Sequence, residues 1–358
     1  MRNWILIAAL MLCVQIPGLA FADWECLGSD PERVECLRQK LEYVYVTTDD
    51  GSDPLFVVQG ANVLIKTGSE DGTGNLIVGM DHTWTSTEVI NGFVSGHDNT
   101  LGGNPVQPPQ VTISPAICGG YQVAAMGNYA VINGGYLNFA EMVASTINGA
   151  RDSSARGWFS VVNGGVHNGA DAEGSTINGG FNNGINEDAD YAATHGGQAN
   201  LAYGLHSTIC GGLSNNTGSS ADYSSISGGY DNDTHGDYAS VMGGEHNDAS
   251  GDYSSIAGGK GNDAIGYASS MLGGYYNDAE QSFSAVAGGR SNEAKISGSN
   301  THATVLGGRN NDALGSYSSI LGGNEGIASG ECSVVGGGDA REVTGTDDWR
   351  AGDLFEDD

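Results

Sequence analysis

Residues 250–280 read SGDYSSIAGGKGNDAIGYASSMLGGYYNDAE and give nearly the same phrase twice. The segment SSIAGG at 254–259 returns as SSMLGG at 269–274, fifteen residues later. The phrase is poor in reactive side chains, but self-similarity at a fixed period is the signature of a repeat architecture. The period of this stretch therefore decides which fold we expect for the chain.

The first glycine of each Gly-Gly pair marks the repeat along most of the sequence. These anchor glycines stand at positions 119, 134, 164, 179, 196, 211, 228, 243, 258, 273, 288, 307, 322 and 336, and Gly149-Ala150 fills the gap after 134. Most steps are 15 residues, and the exceptions are 17, 17, 19 and a final 14. Weaker anchors occur earlier, at Gly79 and Gly96.

Each column of the repeat has its own residue type. An Ile or Val stands two residues before the anchor, a Ser or Ala four before it, an Asn four after it, a small residue six after it and often a third glycine eight after it. Around position 258 these are Ile256, Ser254, Asn262, Ala264 and Gly266. Alternation of small and aliphatic residues is strand periodicity. Gly-Gly and Asn suit the turns between strands, because both tolerate positive φ.

A single repeat is too short to bury a core of its own. Stacked repeats would join the Ile/Val column into one continuous core and pair their backbones from rung to rung. The serial Asn would form an amide ladder in which each side chain bonds to the next rung. The sequence therefore predicts an all-β fold, a β-solenoid of rungs about 15 residues long.

The phrase ASGDYSSIAGGKGND at 249–263 resembles the head repeats of YadA-type trimeric autotransporter adhesins. The resemblance is strong over 111–338 and weak over 55–104. It implies a left-handed parallel β-roll, three copies packed side by side as a homotrimer, and an adhesive role. The chain departs from the family where DAREVTGTDDWRAGDLFEDD (339–358) stands in place of a coiled-coil stalk and barrel strands.

The N-terminal residues 1–22 have the pattern of a signal peptide. Arg2 precedes the apolar run WILIAALMLCV (4–14), and Ala20-Phe21-Ala22 supplies a small-x-small cleavage pattern. We expect cleavage before Asp23 and an exported bacterial protein, secreted or held at the cell surface. No later segment has eighteen consecutive apolar residues, so no transmembrane helix is predicted.

Four further segments are expected in the mature chain. Residues 23–54 would form an N-terminal cap with a short helix in DPERVECLRQKLEYV (30–44), followed by irregular early rungs at 55–110, the regular roll at 111–338 and an acidic tail at 339–358. The tail would either fold back over the last rung or be disordered. Cys26 and Cys36 are expected to form a disulfide that staples the cap, since an exported chain meets an oxidising compartment. The pairing of Cys118, Cys210 and Cys332 stays open.

The composition and the motifs of the chain argue against several classes of function. The formal net charge of −30 argues against partners such as nucleic acid and anionic membranes, which call for Lys and Arg. The sequence contains no nucleophile elbow or phosphate loop, so we expect a non-catalytic structural or adhesive protein without a cofactor. Two alternatives are an ice-binding solenoid, using the outward Thr146, Thr176, Thr208 and Thr304, and a polysaccharide-active solenoid enzyme.

Three columns are candidate sites. Acidic residues five after the anchor would offer oxygen ligands to calcium or be solvated turns; they are Asp233, Asp248, Asp263, Asp278 and Asp312. Apolar residues directly before the anchor should point outwards and form an oligomer interface, unless the core admits them; they are Met242, Leu272, Leu306, Leu321 and Val335. Aromatic residues five before the anchor would contact a carbohydrate or protein ligand, or only cover the flank of the roll; they are Phe159, Tyr223, Tyr238, Tyr253, Phe283 and Tyr317.

Overall fold

A computed structural model of the chain describes residues 44–49, 53–58, 76–80, 83–84, 89–90, 93–102, 112–295 and 302–352. They belong to two compact units, one of residues 1–76 and 90–92 and one of residues 77–89 and 93–358. The predicted signal peptide, the Cys26–Cys36 bridge and residues 30–43 of the cap-helix segment lie outside the described residues, and Val44, its last residue, belongs to a strand. In the first unit, β1 (Val44–Asp49) and β2 (Asp53–Val58) form an antiparallel hairpin. Residues 55–58 therefore belong to a hairpin and not to a parallel rung.

The remaining strands are short and regularly spaced. The early ones are β3 (Leu76–Met80), β4 (Thr83–Trp84), β5 (Val89–Ile90), β6 (Phe93–His97), β7 (Thr100–Leu101), β8 (Thr112–Ile113), β9 (Ala116–Tyr121) and β10 (Ala124–Ala125). The regular ones are β11 (Val131–Ile132), β12 (Phe139–Ala140), β13 (Thr146–Ile147), β14 (Ser154–Ala155), β15 (Val161–Val162), β16 (Gly169–Ala170), β17 (Thr176–Ile177), β18 (Gly184–Ile185), β19 (Ala193–Thr194), β20 (Leu201–Ala202), β21 (Thr208–Ile209), β22 (Asn216–Thr217), β23 (Ser225–Ile226), β24 (Asp233–Thr234), β25 (Ser240–Val241), β26 (Asp248–Ala249), β27 (Ser255–Ile256), β28 (Asp263–Ala264), β29 (Ser270–Met271), β30 (Asp278–Ala279), β31 (Ala285–Val286), β32 (Glu293–Ala294), β33 (Thr304–Val305), β34 (Asp312–Ala313), β35 (Ser319–Ile320), β36 (Ile327–Ala328), β37 (Val334–Gly337), β38 (Glu342–Val343) and β39 (Trp349–Ala351).

Successive rungs pair in parallel along three lines. The first line, ladder I, contains the odd-numbered strands from β9 to β39, and the second, ladder II, contains the even-numbered strands from β10 to β38. Ile256 lies opposite Met271 in ladder I, and Ala264 lies opposite Ala279 in ladder II. The third line is a series of single bridges between the ladders, such as Lys260 with Tyr275. The predicted parallel β-solenoid with 15-residue rungs is confirmed.

The interior of the roll is filled by the columns that the repeat predicted. The Ile/Val column of ladder I and the Ala column of ladder II are buried, with Ile226, Ile256, Ala249 and Ala264 each at most 1% exposed. Because each strand alternates, the neighbouring residues face outwards and are half-buried or exposed. The core is thus a narrow, continuous stack to which most rungs contribute one aliphatic side chain and one small one.

The buried Asn column forms the predicted amide ladder. The backbone N–H and the side-chain Nδ2 of Asn262 both donate to Asn247 Oδ1, each at 3.1 Å. Nδ2 also donates to the carbonyl of Gly258 at 3.1 Å and to that of Gly274 on the next rung at 3.2 Å. Every polar atom of the amide is used, which is what burial of an amide requires.

The three glycines of the repeat differ in what a Cβ at their position would contact. At the second glycine of each pair, such as Gly259 with φ +96°, a Cβ would overlap both the Asn262 amide and the carbonyl oxygen of Gly274. At the third glycine, such as Gly266, a Cβ would overlap the backbone of Gln281 on the next rung. At the first glycine, Gly258, a Cβ would meet only the carbonyl oxygen of Gly243 at 3.9 Å, an ordinary contact. The motif Gly-Gly-x-x-Asn therefore makes space for the amide ladder as well as a turn.

The roll begins with an early rung at Gly96 and extends beyond 338 at the other end. Val94 pairs with Ile117, Gly96 has φ +107°, and Asn99 Oδ1 accepts the backbone N–H of Val123 at 3.1 Å. The weak anchor at Gly96 therefore marks a true rung. At the other end, β38 pairs with β36 and β39 with β37, so residues 339–351 form one more rung. The boundary predicted at 339 is wrong, because acidic composition does not prevent a segment from continuing a parallel ladder.

From β9 onwards, the described differences in rung length lie at one corner, the turn that leads from ladder II into ladder I. Ile185 and Ala193 bound a longer form of this turn, and so do Thr217 and Ser225, each with two residues more than the usual rung. The 19-residue step adds its residues between β32 and β33, at the same corner. Strand register continues across all three insertions. Between β9 and β38 the other turn, from ladder I into ladder II, keeps a constant length, so the extra residues enter at this corner without disturbing the core.

Candidate functional site

The outward side of ladder I carries an exposed apolar strip. Its members are Met242 (64% exposed), Leu272 (69%), Leu306 (52%) and Leu321 (52%), with Ala257 and Ala287 between them. Four of the five predicted interface residues thus point out of the roll. An exposed apolar strip of this kind is typical of a contact surface.

The prediction that Val335 belongs to the oligomer interface is wrong. It is 1% exposed and lies opposite Ile320 in the core column, whereas its neighbour Val334 takes the outward position opposite Ser319. The error arises from the run of three glycines at 336–338, which leaves two possible anchors. The pairing selects Gly337, which restores the last step to 15 residues from the anchor at 322.

In the N-terminal half, the same outward column is a surface amide ladder. Asn133 donates to Asn148 at 2.6 Å, Asn148 to Asn163 at 2.7 Å and Asn163 to Asn178 at 2.8 Å, all through Nδ2 to Oδ1. Asn178 Nδ2 then lies 2.8 Å from Nδ1 of His195. The predicted threonines of the ice-binding alternative occupy the other outward column of ladder I, beside this ladder.

The outward side of ladder I is uncharged over a long distance. Among the described strands from β11 to β35, its two outward columns contain no Asp, Glu, Lys or Arg. The sequence analysis missed this property because it depends on knowing which residues of every rung face outwards together. In a chain with net charge −30, this uncharged face is where electrostatic repulsion between copies is weakest.

The predicted acidic column lies on the outward side of ladder II. Asp248, Asp263 and Asp278 are directly opposite one another on successive strands, so like charges stand one strand spacing apart. Partial burial, together with the neighbouring carboxylates of Asp278 and Asp248, raises the pKa of Asp263 from 3.8 to about 6. Partial burial also raises the pKa values of Asp233, Asp278 and Asp312.

A lysine of the chain neutralises part of the negative charge of this acidic column. Asp278, Glu280 and Glu293 have oxygen atoms within 4.8 Å of one another, which is compatible with a cation. However, Lys295 Nζ already lies 3.0 Å from Glu280 Oε1 and 3.1 Å from Glu293 Oε1. The calcium site suggested for Asp233, Asp248, Asp263, Asp278 and Asp312 stays a prediction.

The acidic column leads to a prediction on pH. Because the folded-state pKa of Asp263 is raised above 3.8, protonation favours the folded state. The stabilisation that protonation of Asp263 gives is fully present below pH 3.8 and is lost as the pH rises through about 6. We expect the melting temperature to rise when the pH falls from about 7.5 to about 5, as measured by circular dichroism.

The variant Asp263→Asn isolates this effect. It should melt higher than the parent at the higher pH, because one repelling carboxylate is gone, and should gain less on acidification. The exposed loop variant Asp188→Asn makes the same charge change away from the column and should keep the parent's pH profile. A D263N profile parallel to that of the parent would contradict the prediction.

The predicted aromatic column stacks along the corner where rung lengths vary. Ring centroids are 5.1 Å apart between Tyr223 and Tyr238 and 4.9 Å apart between Tyr238 and Tyr253. The structure extends this stack to residues that the sequence analysis missed in the same column, namely Tyr191, His206 and His302, with Tyr267 from the neighbouring column. Tyr191, His206 and His302 also stand five residues before an anchor, so the sequence contains the signal that places them in this column. The predicted column omitted them because it included only tyrosines and phenylalanines, and only those of some repeats.

The three described cysteines are exposed and free. Cys118 and Cys210 stand directly before an anchor glycine, in the outward column of ladder I, while Cys332 stands in the aromatic column. No disulfide joins them to one another in the described residues. Desolvation, together with the neighbouring carboxylates of Asp347 and Glu331, raises the pKa of the Cys332 thiol.

Comparison with known proteins gives no family for the chain. No protein-family model matches it, and no curated protein matches it significantly. The likeness to YadA-type heads therefore rests on the repeat motif, to which the structure adds a parallel solenoid of 15-residue rungs. Within the part of the chain that the structure describes, no helix has the length and apolar character needed to span a membrane.

Proposed function

We propose that this chain is an exported, non-catalytic adhesive protein whose roll assembles side by side as a homotrimer. The observation that carries the proposal is the uncharged outward side of ladder I with its apolar strip. Large side chains such as Leu272, 69% exposed, are costly in water and gain free energy when a partner covers them. The signal-peptide pattern at 1–22 supports export, and the resemblance to trimeric adhesin heads supports the number of copies.

A second copy of the chain fits this side better than an unrelated partner does. Two parallel copies have the same rung spacing, so every outward column can meet its counterpart in register along the whole face. Ladder II cannot serve this purpose, because its outward column repeats carboxylates such as Asp248 and Asp263 on opposing strands. Like charges would then meet across the interface, and their repulsion opposes assembly.

The oligomeric state tests the proposal. Light scattering on the chain without residues 1–22 should give three times the mass of one chain. Leu272→Asp with Leu306→Asp should dissociate the trimer, because it places two charges in the apolar strip. Both residues are more than half exposed within one chain, so each roll should still fold.

Ile265→Asp, which adds one charge, provides the control for the single variant Leu272→Asp. Ile265 is 48% exposed but follows ladder II, on the other side of the roll, so this variant should stay trimeric. A parent protein that is a monomer at high concentration would overturn the proposal. So would equal dissociation of the control, which would indicate a general effect of added negative charge.

A further inference from the structure

The edge between ladder II and ladder I carries a repeated Asp-Tyr dipeptide. Its four copies are Asp190-Tyr191, Asp222-Tyr223, Asp237-Tyr238 and Asp252-Tyr253, and His206 occupies the tyrosine position on the intervening rung. We call residues 190–253 at this corner the Asp-Tyr edge. The two described insertions in rung length fall at the same corner, which is separate from the outward side of ladder I.

The rings of the Asp-Tyr edge form one continuous stack. Successive centroids from Tyr191 through His206 to Tyr253 are 5.1, 4.8, 5.1 and 4.9 Å apart, with interplanar angles of 15° or less. The tyrosines are nevertheless about half exposed. Each ring covers the face of the next, so the stack presents ring edges to solvent, together with the phenol hydroxyls of its tyrosines.

The turn conformation does not explain why aromatic residues occupy this column. All five ring positions have φ between +56° and +59°, a region that bulky side chains rarely adopt. On other rungs Ala144, Ala268 and Cys332 take the same conformation, so the turn forms without a ring. Stacking offsets part of the conformational cost, at roughly 0.5–1.5 kcal/mol per pair. Half of each tyrosine still remains in water, as an extended surface for contact.

Carboxylates are fixed in a row beside the rings. Through Oδ1, Asp222 accepts the N–H of Leu205 at 2.9 Å, Asp237 that of Asp222 at 3.0 Å and Asp252 that of Asp237 at 3.1 Å. Asp190 does the same for Glu173 at 3.0 Å. In the described part of the chain, no basic side chain forms an ion pair with these four carboxylates. The second oxygen of each is therefore held in place and available to an external cation.

We propose that the Asp-Tyr edge binds a linear polysaccharide whose sugars carry ammonium groups, such as a β-linked glucosamine polymer. This inference rests on the proposed adhesive function and names its ligand class. Charge complementarity excludes an acidic polymer, and an ammonium group gives each carboxylate a charge-assisted hydrogen bond, which is stronger than one from the hydroxyl of a neutral sugar. The rings offer apolar edges and hydroxyls to the sugar, and the aspartates offer oxygens to its ammonium groups.

The spacing favours a sugar chain over a basic peptide. In an extended β-1,4-linked chain consecutive sugars are rotated by about half a turn, so the ammonium groups on one side recur every second sugar, close to two rung spacings, and can meet an aspartate on every second rung. An extended peptide advances by roughly 3.3 Å per residue, or about 6.6 Å between side chains on the same side. Its basic side chains would lose register with rings that lie 4.8 to 5.1 Å apart. Contacts repeated along one chain add up as avidity.

Titration calorimetry with β-1,4-linked glucosamine oligomers tests this inference. Affinity should increase with oligomer length up to about the five rungs of the edge, and fully N-acetylated oligomers of the same length should bind at least about tenfold more weakly. The triple variant Asp222→Asn, Asp237→Asn, Asp252→Asn should lose affinity for the glucosamine oligomer at least about tenfold. Asparagine keeps the Oδ1 acceptor for the rung above, so the roll should stay folded.

The control is Asp248→Asn, Asp263→Asn, Asp278→Asn, which removes the same number of carboxyl groups from three successive rungs of ladder II. It should bind like the parent. Equal losses in both variants would overturn the inference, since they indicate only general attraction to an acidic protein. Oligolysine that binds as tightly as the sugar, with the same sensitivity to D222N/D237N/D252N, would overturn the choice of a polysaccharide.

Light scattering on the same samples separates this inference from the proposed assembly. A trimer that does not bind the oligomers contradicts the inference alone. A monomer that binds them, with the loss confined to the Asp-Tyr edge variant, contradicts the assembly and supports the binding edge.

Discussion

Replacing Asn262 with alanine should lower the free energy of unfolding by about 4 kcal/mol. The side chain is 0% exposed, donates to three carbonyl oxygens and accepts two hydrogen bonds from Asn277 through Oδ1. Alanine would leave the N–H of Asn277 and the carbonyl of Gly258 without a partner inside the roll, whereas the carbonyl of Gly274 keeps the backbone N–H of Lys260 at 2.9 Å. Each buried polar group left unpaired costs about 1–3 kcal/mol. Chemical denaturation followed by circular dichroism measures the change.

The exposed amide ladder supplies the control for this prediction. Asn148→Ala also breaks a rung-to-rung amide pair, but water can replace the lost partners, so the change should stay below about 1 kcal/mol. Asn262→Asp is a second comparison. It keeps the acceptor for Asn277 but faces the two glycine carbonyls with an oxygen, so it should be destabilised as strongly as N262A. Equal small losses for Asn148 and Asn262 would contradict a structural role for the buried ladder.

Replacing Gly259 with alanine should be as damaging as losing the amide, at roughly 3 kcal/mol or more. The residue has φ +96°, and its Cβ would overlap the Asn262 amide and the carbonyl oxygen of Gly274. The rungs would have to move apart at this point, which breaks pairing in both ladders. Since each rung contacts mainly its neighbours, the roll should then unfold in two separate transitions. Differential scanning calorimetry would detect the second transition.

The adjacent Gly258→Ala is the closest possible control. A Cβ at this position meets only the carbonyl oxygen of Gly243 at 3.9 Å, so we expect a change within about 0.5 kcal/mol and a single transition. The two glycines of the repeated pair are identical in sequence, but only the second should be indispensable. If both substitutions had the same effect, the stated reason for the Gly-Gly-x-x-Asn motif would be wrong.

Much of the fold was predictable because the repeat reports the same environment many times. A single Ile or Asn is ambiguous, but Ile226 and Ile256 with Asn232 and Asn262 at a constant offset identify one core column and one ladder column. The additional residues in long rungs also come in even numbers, which preserves the face of every following strand. The parallel pairing and the buried amide ladder follow from these two regularities.

The errors occurred where the repeat was locally ambiguous. Three glycines at 336–338 allowed two alignments, and the incorrect one placed Val335 on the surface instead of in the core. Acidic composition after 338 suggested a tail, although Val343 and Ala351 still pair with the preceding rung. At both places only the hydrogen-bonded register between neighbouring rungs determines the correct alignment, and this register cannot be read from the sequence of one rung.

The sequence by itself determined the period, the core column and the buried amide ladder. These depend on local alternation and on a repeat of 15 residues, and both are visible in one dimension. Only the tertiary structure decided that ladder I has a long uncharged outward side, that carboxylates of ladder II stand opposite one another, and that Tyr191 and His206 join one stack of rings. Such surfaces arise from residues 15 or 17 positions apart that parallel pairing brings to one strand spacing, so no single stretch of the chain contains them.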